Sequence, residues 1–349
     1  MHEVEIAGRK VGAGQPCFII AEAGVNHNGD MEIAHRLVDV AAASGANAIK
    51  FQTFKAERLV TEDAPKADYQ LRTTGVSESL YDMLQKLELS VEAHRDLMTY
   101  AKKRGIIFMS TPFDEQSADF LAELGLEVFK TPSGELTNLP FLEHVASKGK
   151  PVIISTGMSC LGEVEAAVNA FEGAGNEDII LLHCTSSYPA FPEDVNLLAM
   201  QTMARAFNHL TGYSDHTLGI EISLAAVALG AKVIEKHITL DRHLPGPDQN
   251  ASLEPEELVA MVRGIRKVER ALGSGRKTPV RCEANTAAVA RKSLVAARDI
   301  PAGSVIKKDM IAIKRPGTGL LPSMRDYLIG RTARISIPKG TVIRLEMMI

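Results

Sequence analysis

Eight short runs rich in apolar and β-branched side chains recur along the chain, and a segment of helical period follows each one. The runs are PCFIIAE (16–22), NAIKFQ (47–52), IIFMS (106–110), EVFKT (127–131), PVIIS (151–155), DIILLHC (178–184), HLTGY (209–213) and KVIEKH (232–237). Near-continuous apolar strands separated by helices imply a parallel sheet covered on its faces. In the first intervening segment, MEIAHRLVDVAAASG, Ile33, Leu37, Val40 and Ala41 share one face at spacings of three and four before Gly45 ends the helix. Eight such units predict an α/β fold of the (β/α)8 TIM-barrel type. A doubly wound open sheet is the alternative, but no G-x-G-x-x-G follows the first run. Residues 53–92 form an unusually long interval containing TEDAPKADYQLRTTGVSES, which predicts a lid or substrate loop.

The pattern changes after EPEELVAMVRGIRKVERALG (254–273). We read 1–273 as the barrel, 274–289 as a linker beginning SGRK, and 290–349 as a small β-rich domain. That last part holds a self-similar pair, DIPAGSVIKKDMI (299–311) and SIPKGTVIRLEMM (336–348), each with a Pro-x-Gly turn between short β-branched runs. A domain of about 60 residues is marginal alone, so it is expected to pack on the barrel or on a neighbouring subunit.

Composition excludes several functions. With 39 basic and 43 acidic side chains among 349 residues and no Lys/Arg-rich block, the chain has no electrostatic footprint for nucleic acid. Charges or glycine break every apolar run before the roughly 18 residues of a membrane span. MHEVEIAGRK is the wrong order for a secretory signal, which predicts a cytoplasmic protein. Cys17, Cys160, Cys184 and Cys282 show no CxxC spacing and are expected to be buried free thiols.

A barrel of this kind carries its active site at the carboxyl ends of its strands. Those ends are polar throughout: Glu22; Lys50 and Gln52; Ser110 and Thr111; Lys130 with Ser133 and Glu135; Ser155 and Thr156; His183 and Thr185; Ser214, Asp215 and His216; Glu235 and His237. Buried lysines demand an anionic partner. For Lys50 and Lys130 that partner is either a structural carboxylate (Glu22, Glu135 or Glu235) or a small, strongly anionic substrate. Hydroxyls at Ser133, Ser155 and Ser214 beside turns suit a phosphate or carboxylate. His216 and His237 end adjacent strands near Glu22 and suggest an open site for manganese or magnesium. His183 could equally be packed, His27 could bond only its own backbone, and Asp248 in LPGPDQN could be a simple turn residue.

The segments IAEAGVNHNG, IKFQTF, STPFD, FKTPSGE, ISTGM, LLHCTSSYP, YSDHTLG, IEKHITLD and KRPGTG resemble, in order and over nearly the whole chain, the sialic acid (N-acetylneuraminate) synthase family, which includes diacetyllegionaminic acid synthases. The last 60 residues resemble that family's antifreeze-like (SAF-type) domain. The resemblance implies condensation of phosphoenolpyruvate with an open-chain N-acetylmannosamine-type sugar, giving a nonulosonic acid and phosphate, in a domain-swapped homodimer. It implies that Lys50, Thr111, Lys130, Ser133, Ser155 and Ser214 hold phosphoenolpyruvate, with Glu135 also in the substrate-binding set, and that His216 and His237 bind Mn2+ or Mg2+. Glu22, Gln52, Tyr188 and Asp248 would face the sugar, and Arg315 would reach its N-acetyl group from the partner chain. Glu22 is expected to manage the proton on a metal-bound water or sugar hydroxyl, with Glu235 in support. Ser186 stands where the family often has asparagine, and its shorter side chain would need a water to reach the same phosphate oxygen.

Three rival readings remain. A synthase of the same family acting on 2,4-diacetamido-2,4,6-trideoxymannose differs only in pocket residues that touch one hydroxyl or acetamide. A carbohydrate- or ice-binding module would need neither buried lysines nor paired strand-end histidines. An aldolase or isomerase would use Lys50 or Lys130 as a Schiff base.

Overall fold

In a computed structural model that describes residues 3–75 and 77–349, the eight runs are eight parallel strands. They are β1 (Phe18–Gly24), β2 (Ala48–Thr53), β3 (Ile107–Pro112), β4 (Phe129–Thr131), β5 (Val152–Ser155), β6 (Ile179–Cys184), β7 (Leu210–Asp215) and β8 (Val233–His237). Their order is β3-β2-β1-β8-β7-β6-β5-β4, and β3 packs beside β4 to complete the ring without a ladder among the described residues. The fold is therefore the barrel, and the open-sheet alternative falls. Met1, His2 and, in the long interval, Val76 lie outside the described residues.

Side chains of alternate strand residues fill the ring: Phe18, Ile20, Ala48, Met109, Ile153, Ile180, Leu182, Leu210 and Val233 form one buried cluster. Val4, Ile6 and Val11 join it from an antiparallel hairpin, Val4–Ile6 with Arg9–Val11, that precedes β1. The opposite residues of each strand pack against the helices in a second cluster. Helix Met31–Ser44 shows the local logic. Asp30 Oδ1 accepts the N–H groups of Glu32 (2.7 Å) and Ile33 (3.4 Å), and Gly45 stops the helix in the left-handed region at φ 84°. Its buried face is Ala34, Leu37, Val38 and Ala41, with Ile33 and Val40 only half-buried, so the stripe is rotated slightly from the one expected.

The long interval folds into three short helices, Ala56–Leu59, Asp68–Thr74 and Leu80–Leu87. Met83 and Leu87 of the last one pack on Val25 and Phe54 in a separate apolar cluster.

The chain divides into two units, Met1–Gly273 and Ser274–Ile349. The stretch read as linker carries a helix, Ala284–Ala290. Beyond it the two repeats are related by an internal two-fold. Ile300 and Ile337 exchange backbone hydrogen bonds (2.9 and 2.8 Å), and the N–H groups of Gly303 and Gly340, at φ 81° and 84°, donate to Ala333 and Ala296 respectively, both at 2.8 Å. Regular strands are few, chiefly Ser293–Ala296 paired with Ile311–Lys314. No helix among the described residues is long and apolar enough to cross a membrane.

Candidate active site

Strand register brings the polar ends to one rim. His237 pairs opposite Glu22 between β8 and β1, Glu22 opposite Lys50 between β1 and β2, and Ser214 opposite Glu235 between β7 and β8. Together they line a cavity of about 410 Å3, within the roughly 300–1,000 Å3 usual for small-molecule sites. Of the residues expected at the site, Glu22, Lys50, Gln52, Thr111, Lys130, Ser133, Ser155, Tyr188, Ser214, His216, Glu235, His237 and Asp248 all line it. Glu135 does not; its Oε2 accepts a hydrogen bond from Asn138 Nδ2 (2.7 Å) in the turn after β4. Arg315 belongs to the second unit and is exposed beside a cis Arg315-Pro316 bond.

At the cavity floor two lysines and two carboxylates interleave. Lys50 Nζ lies 2.8 Å from Glu22 Oε2 and 3.7 Å from Glu235 Oε2, while Lys130 Nζ lies 3.6 Å from Glu235 Oε1. All four are at most 5% exposed in their side chains, so the carboxylates supply the partners that buried lysines demand. Burial pushes Glu22 up to about 7, with the neighbouring Glu235 adding to the rise against the pull of Lys50. Glu235 ends lower than usual, because Lys130 and Lys50 overcome its burial. Burial also lowers Lys130, whereas for Lys50 the two carboxylates outweigh burial and raise it.

Hydroxyls surround this quartet. Lys50 Nζ donates to Thr111 Oγ1 (2.7 Å), Ser214 Oγ donates to Glu235 Oε1 (3.1 Å), and Ser133 Oγ accepts the Gly157 N–H (3.0 Å). Ser155 Oγ is buried and has no protein partner. Gln52 Nε2 donates to Glu22 Oε1 (3.4 Å).

The imidazoles stand across the cavity with ring centroids 5.5 Å apart. His216 Nδ1–H donates to the Thr185 carbonyl (2.7 Å), which leaves Nε2 as the free ring nitrogen. His237 Nδ1 is buried, has no hydrogen-bond partner, and lies 3.9 Å from Asp248 Oδ2. Burial, with His216 and the lysines adding to it, holds His237 well below the usual range and therefore neutral. Burial opposes protonation of His216 as well, but Cys184 and the Thr185 carbonyl draw it up. Asp248 is raised by burial to about 6. The Tyr188 ring lies over His216 at 4.1 Å, tilted by 34°, and is itself covered by Tyr69 at 5.0 Å.

Some site residues were not legible as such. Cys184 lines the cavity 3.5 Å from Ser133 Oγ and 3.8 Å from His216 Nδ1, though nothing separates it in sequence from an inert core thiol. Tyr69 and Gln70 come from the long interval, where no spacing singles them out. Of the other cysteines Cys17 is buried, but Cys160 and Cys282 are exposed, contrary to expectation. His183 Nε2–H donates to the Val195 carbonyl (2.6 Å), and His27 Nδ1 accepts the Gly29 N–H (3.0 Å); neither lines the cavity.

Comparison with known proteins agrees with this geometry. The chain is 50% identical over 329 residues to the N,N'-diacetyllegionaminic acid synthase of Campylobacter jejuni, covering 94% of this chain and 98% of that one. It is 49% identical over 339 residues to the protein of the same name from Legionella pneumophila, covering 96% and 95%. The crystal structure of an N-acetylneuraminic acid synthetase from Leptospira borgpetersenii, bound to citrate, superposes with a TM-score of 0.73 at 38% identity, covering 82% of this chain and 95% of that one. Residues 291–348 match the SAF domain and residues 37–277 match the NeuB family. The chain belongs to the NeuB family, whose synthases condense phosphoenolpyruvate with amino sugars.

Proposed function

We propose that the cavity condenses phosphoenolpyruvate with the open-chain form of an N-acetylated mannosamine-type sugar. The enol carbon forms a bond to the aldehyde carbon, water adds at the phosphate-bearing carbon, and inorganic phosphate leaves as the nonulosonic acid forms. The observation that carries this reading is the buried quartet of Lys50, Lys130, Glu22 and Glu235 beside the unpartnered Ser155 hydroxyl and facing two imidazoles. Lys50, Lys130, Thr111, Ser133, Ser155 and Ser214 bind the anionic donor and exclude water from it. Glu22, poised near neutrality, takes and returns the proton of the attacking water or sugar hydroxyl, and Glu235 keeps both lysines in place. Gln52, Tyr188 and Asp248 orient the sugar, and Arg315 reaches its acetamide from the partner of a domain-swapped homodimer.

His216 and His237 fit a divalent cation, Mn2+ or Mg2+. One ring is locked by its backbone hydrogen bond, and the other presents a buried nitrogen with no partner. Two imidazole ligands would leave positions open to substrate and water; among the described residues no group of three or more His, Cys, Asp or Glu is arranged to hold an ion. Such an ion, when bound, polarises the aldehyde as a Lewis acid. The Schiff-base reading has less support at Lys50, which Glu22 and Glu235 hold charged; at Lys130, which burial lowers, borohydride trapping of a sugar adduct tests it. Phosphoenolpyruvate is a cytoplasmic metabolite, which supports action in the cytoplasm. The 50% identity to a diacetyllegionaminic acid synthase supports a second reading for the acceptor, 2,4-diacetamido-2,4,6-trideoxymannose. Phosphate release from phosphoenolpyruvate tests the proposal. It is expected only when Mn2+ and one of these two aldoses are both present, and release that is independent of sugar would contradict it.

A further inference from the structure

The cavity has two chemically different halves. One is the charged floor beneath the imidazoles. The other is mostly carbon: Leu59, Leu80, Met83 and Leu84 of the three-helix insertion, completed by Phe54 and Phe113 from just beyond β2 and β3, with Tyr69 and Gln70 the polar groups the insertion adds. Leu80 and Leu84 lie one turn apart on helix Leu80–Leu87 and so share a face. The same helix is anchored by Met83 and Leu87, and Phe54 meets Phe113 edge-on at 5.9 Å. The insertion also meets the far rim, where Thr73 Oγ1 lies 3.4 Å from the Pro247 carbonyl oxygen and Tyr69 covers Tyr188, which in turn covers His216. A sugar with its carbonyl at the imidazoles therefore has its far end within reach of the carbon wall.

We propose that this wall is the acceptor-selecting element, favouring a sugar whose far end is deoxygenated and acylated and rejecting one that ends in a phosphate. The inference rests on the condensation reading above. Among the described residues that line the cavity, the lysines and arginines are Lys50 and Lys130 alone, and both already face Glu22 or Glu235. The one further cation assigned to the sugar, Arg315 of the partner subunit, is placed at its acetamide, so a second phosphate against the wall would lose its hydration without gaining a cation from this chain. A methyl or acetamide methyl there gains contact instead, and one such group changes kcat/KM by roughly tenfold or more in an apolar pocket.

The test measures kcat/KM by phosphate release from the full-length protein with Mn2+ and three acceptors: 2,4-diacetamido-2,4,6-trideoxymannose, N-acetylmannosamine and N-acetylmannosamine 6-phosphate. The deoxygenated sugar is expected to lead N-acetylmannosamine by roughly tenfold and the 6-phosphate by more. Leu84→Lys is expected to raise the 6-phosphate relative to the deoxygenated sugar by roughly tenfold, a gain that a folding defect cannot mimic. Leu80→Asn should erode the preference for the deoxygenated sugar through its KM while the KM for phosphoenolpyruvate stays put. Equal or better turnover of N-acetylmannosamine or its phosphate, or ratios unmoved in both variants, overturns the inference and leaves the condensation reading standing. No phosphate from any of the three sugars overturns that reading, and the inference with it.

Discussion

Behind the two imidazoles, on the helix-facing side of the sheet, Lys236 and Asp215 form a fully buried ion pair at 3.0 Å. Asp215 also accepts hydrogen bonds from Thr217 N (2.9 Å) and Oγ1 (2.7 Å) and from Ser223 Oγ (2.6 Å), while Lys236 donates to the Thr217 carbonyl. This network joins the ends of β7 and β8, which carry His216 and His237. Lys236→Met strands the Asp215 charge and should cost about 3–5 kcal/mol in chemical unfolding; a loss within experimental error would show that the pair carries no structural load. His27 is likewise buried. Burial lowers it from its ordinary value of 6.5 to about 4. Between those values the unfolded chain binds a proton that the folded imidazole refuses, so stability is complete above pH 6.5 and falls as the pH drops towards 4. The full contribution is roughly 3 kcal/mol. Urea midpoints at pH 7.5 and 5 should differ less in His27→Gln than in the native protein, and an unchanged difference would refute the assignment.

At the scale of elements, the strands were legible because parallel strands buried on both faces read as unbroken apolar runs, as in PVIIS and DIILLHC. The hairpin before β1 was not, since VEI and RKV offer too few residues for alternation to stand out. Nor were the insertion helices, whose sequence DYQLRTT is polar and buries no side chain fully. The site divides along the same line. Residues at strand ends followed from barrel geometry, although at the end of β6 it is Cys184 and not His183 that faces the cavity; Tyr69 and the carbon wall reach it through packing between elements distant in sequence. Glu135 was misplaced because the turn after β4 directs it to Asn138. The loop after β5 offers a sharp test. A Cβ on Gly157 would lie 2.9 Å from Ser133 Oγ and closer still to Ser186 Oγ, so Gly157→Ala must displace the hydroxyl assigned to the donor. Its KM for phosphoenolpyruvate should rise roughly ten- to hundredfold with the sugar KM little changed, and an unaltered donor KM would remove Ser133 from the binding set.

For the molecule as a whole, one division of labour accounts for the sequence. The barrel assembles charge at its rim, and the second unit is a two-fold repeat in which Gly303 and Gly340 make equivalent turns. On the proposed reading, two imidazoles, one with a buried and unpaired nitrogen, hold a divalent cation beside the lysine–carboxylate floor. The most direct measurement follows phosphate release with saturating phosphoenolpyruvate and aldose as the protein is stripped of metal by chelation and dialysis and then titrated with Mn2+. Release is expected to disappear on stripping and to return with Mn2+ in the native protein, but not in His237→Ala. Full turnover by the stripped protein would mean that the imidazoles serve no catalytic ion.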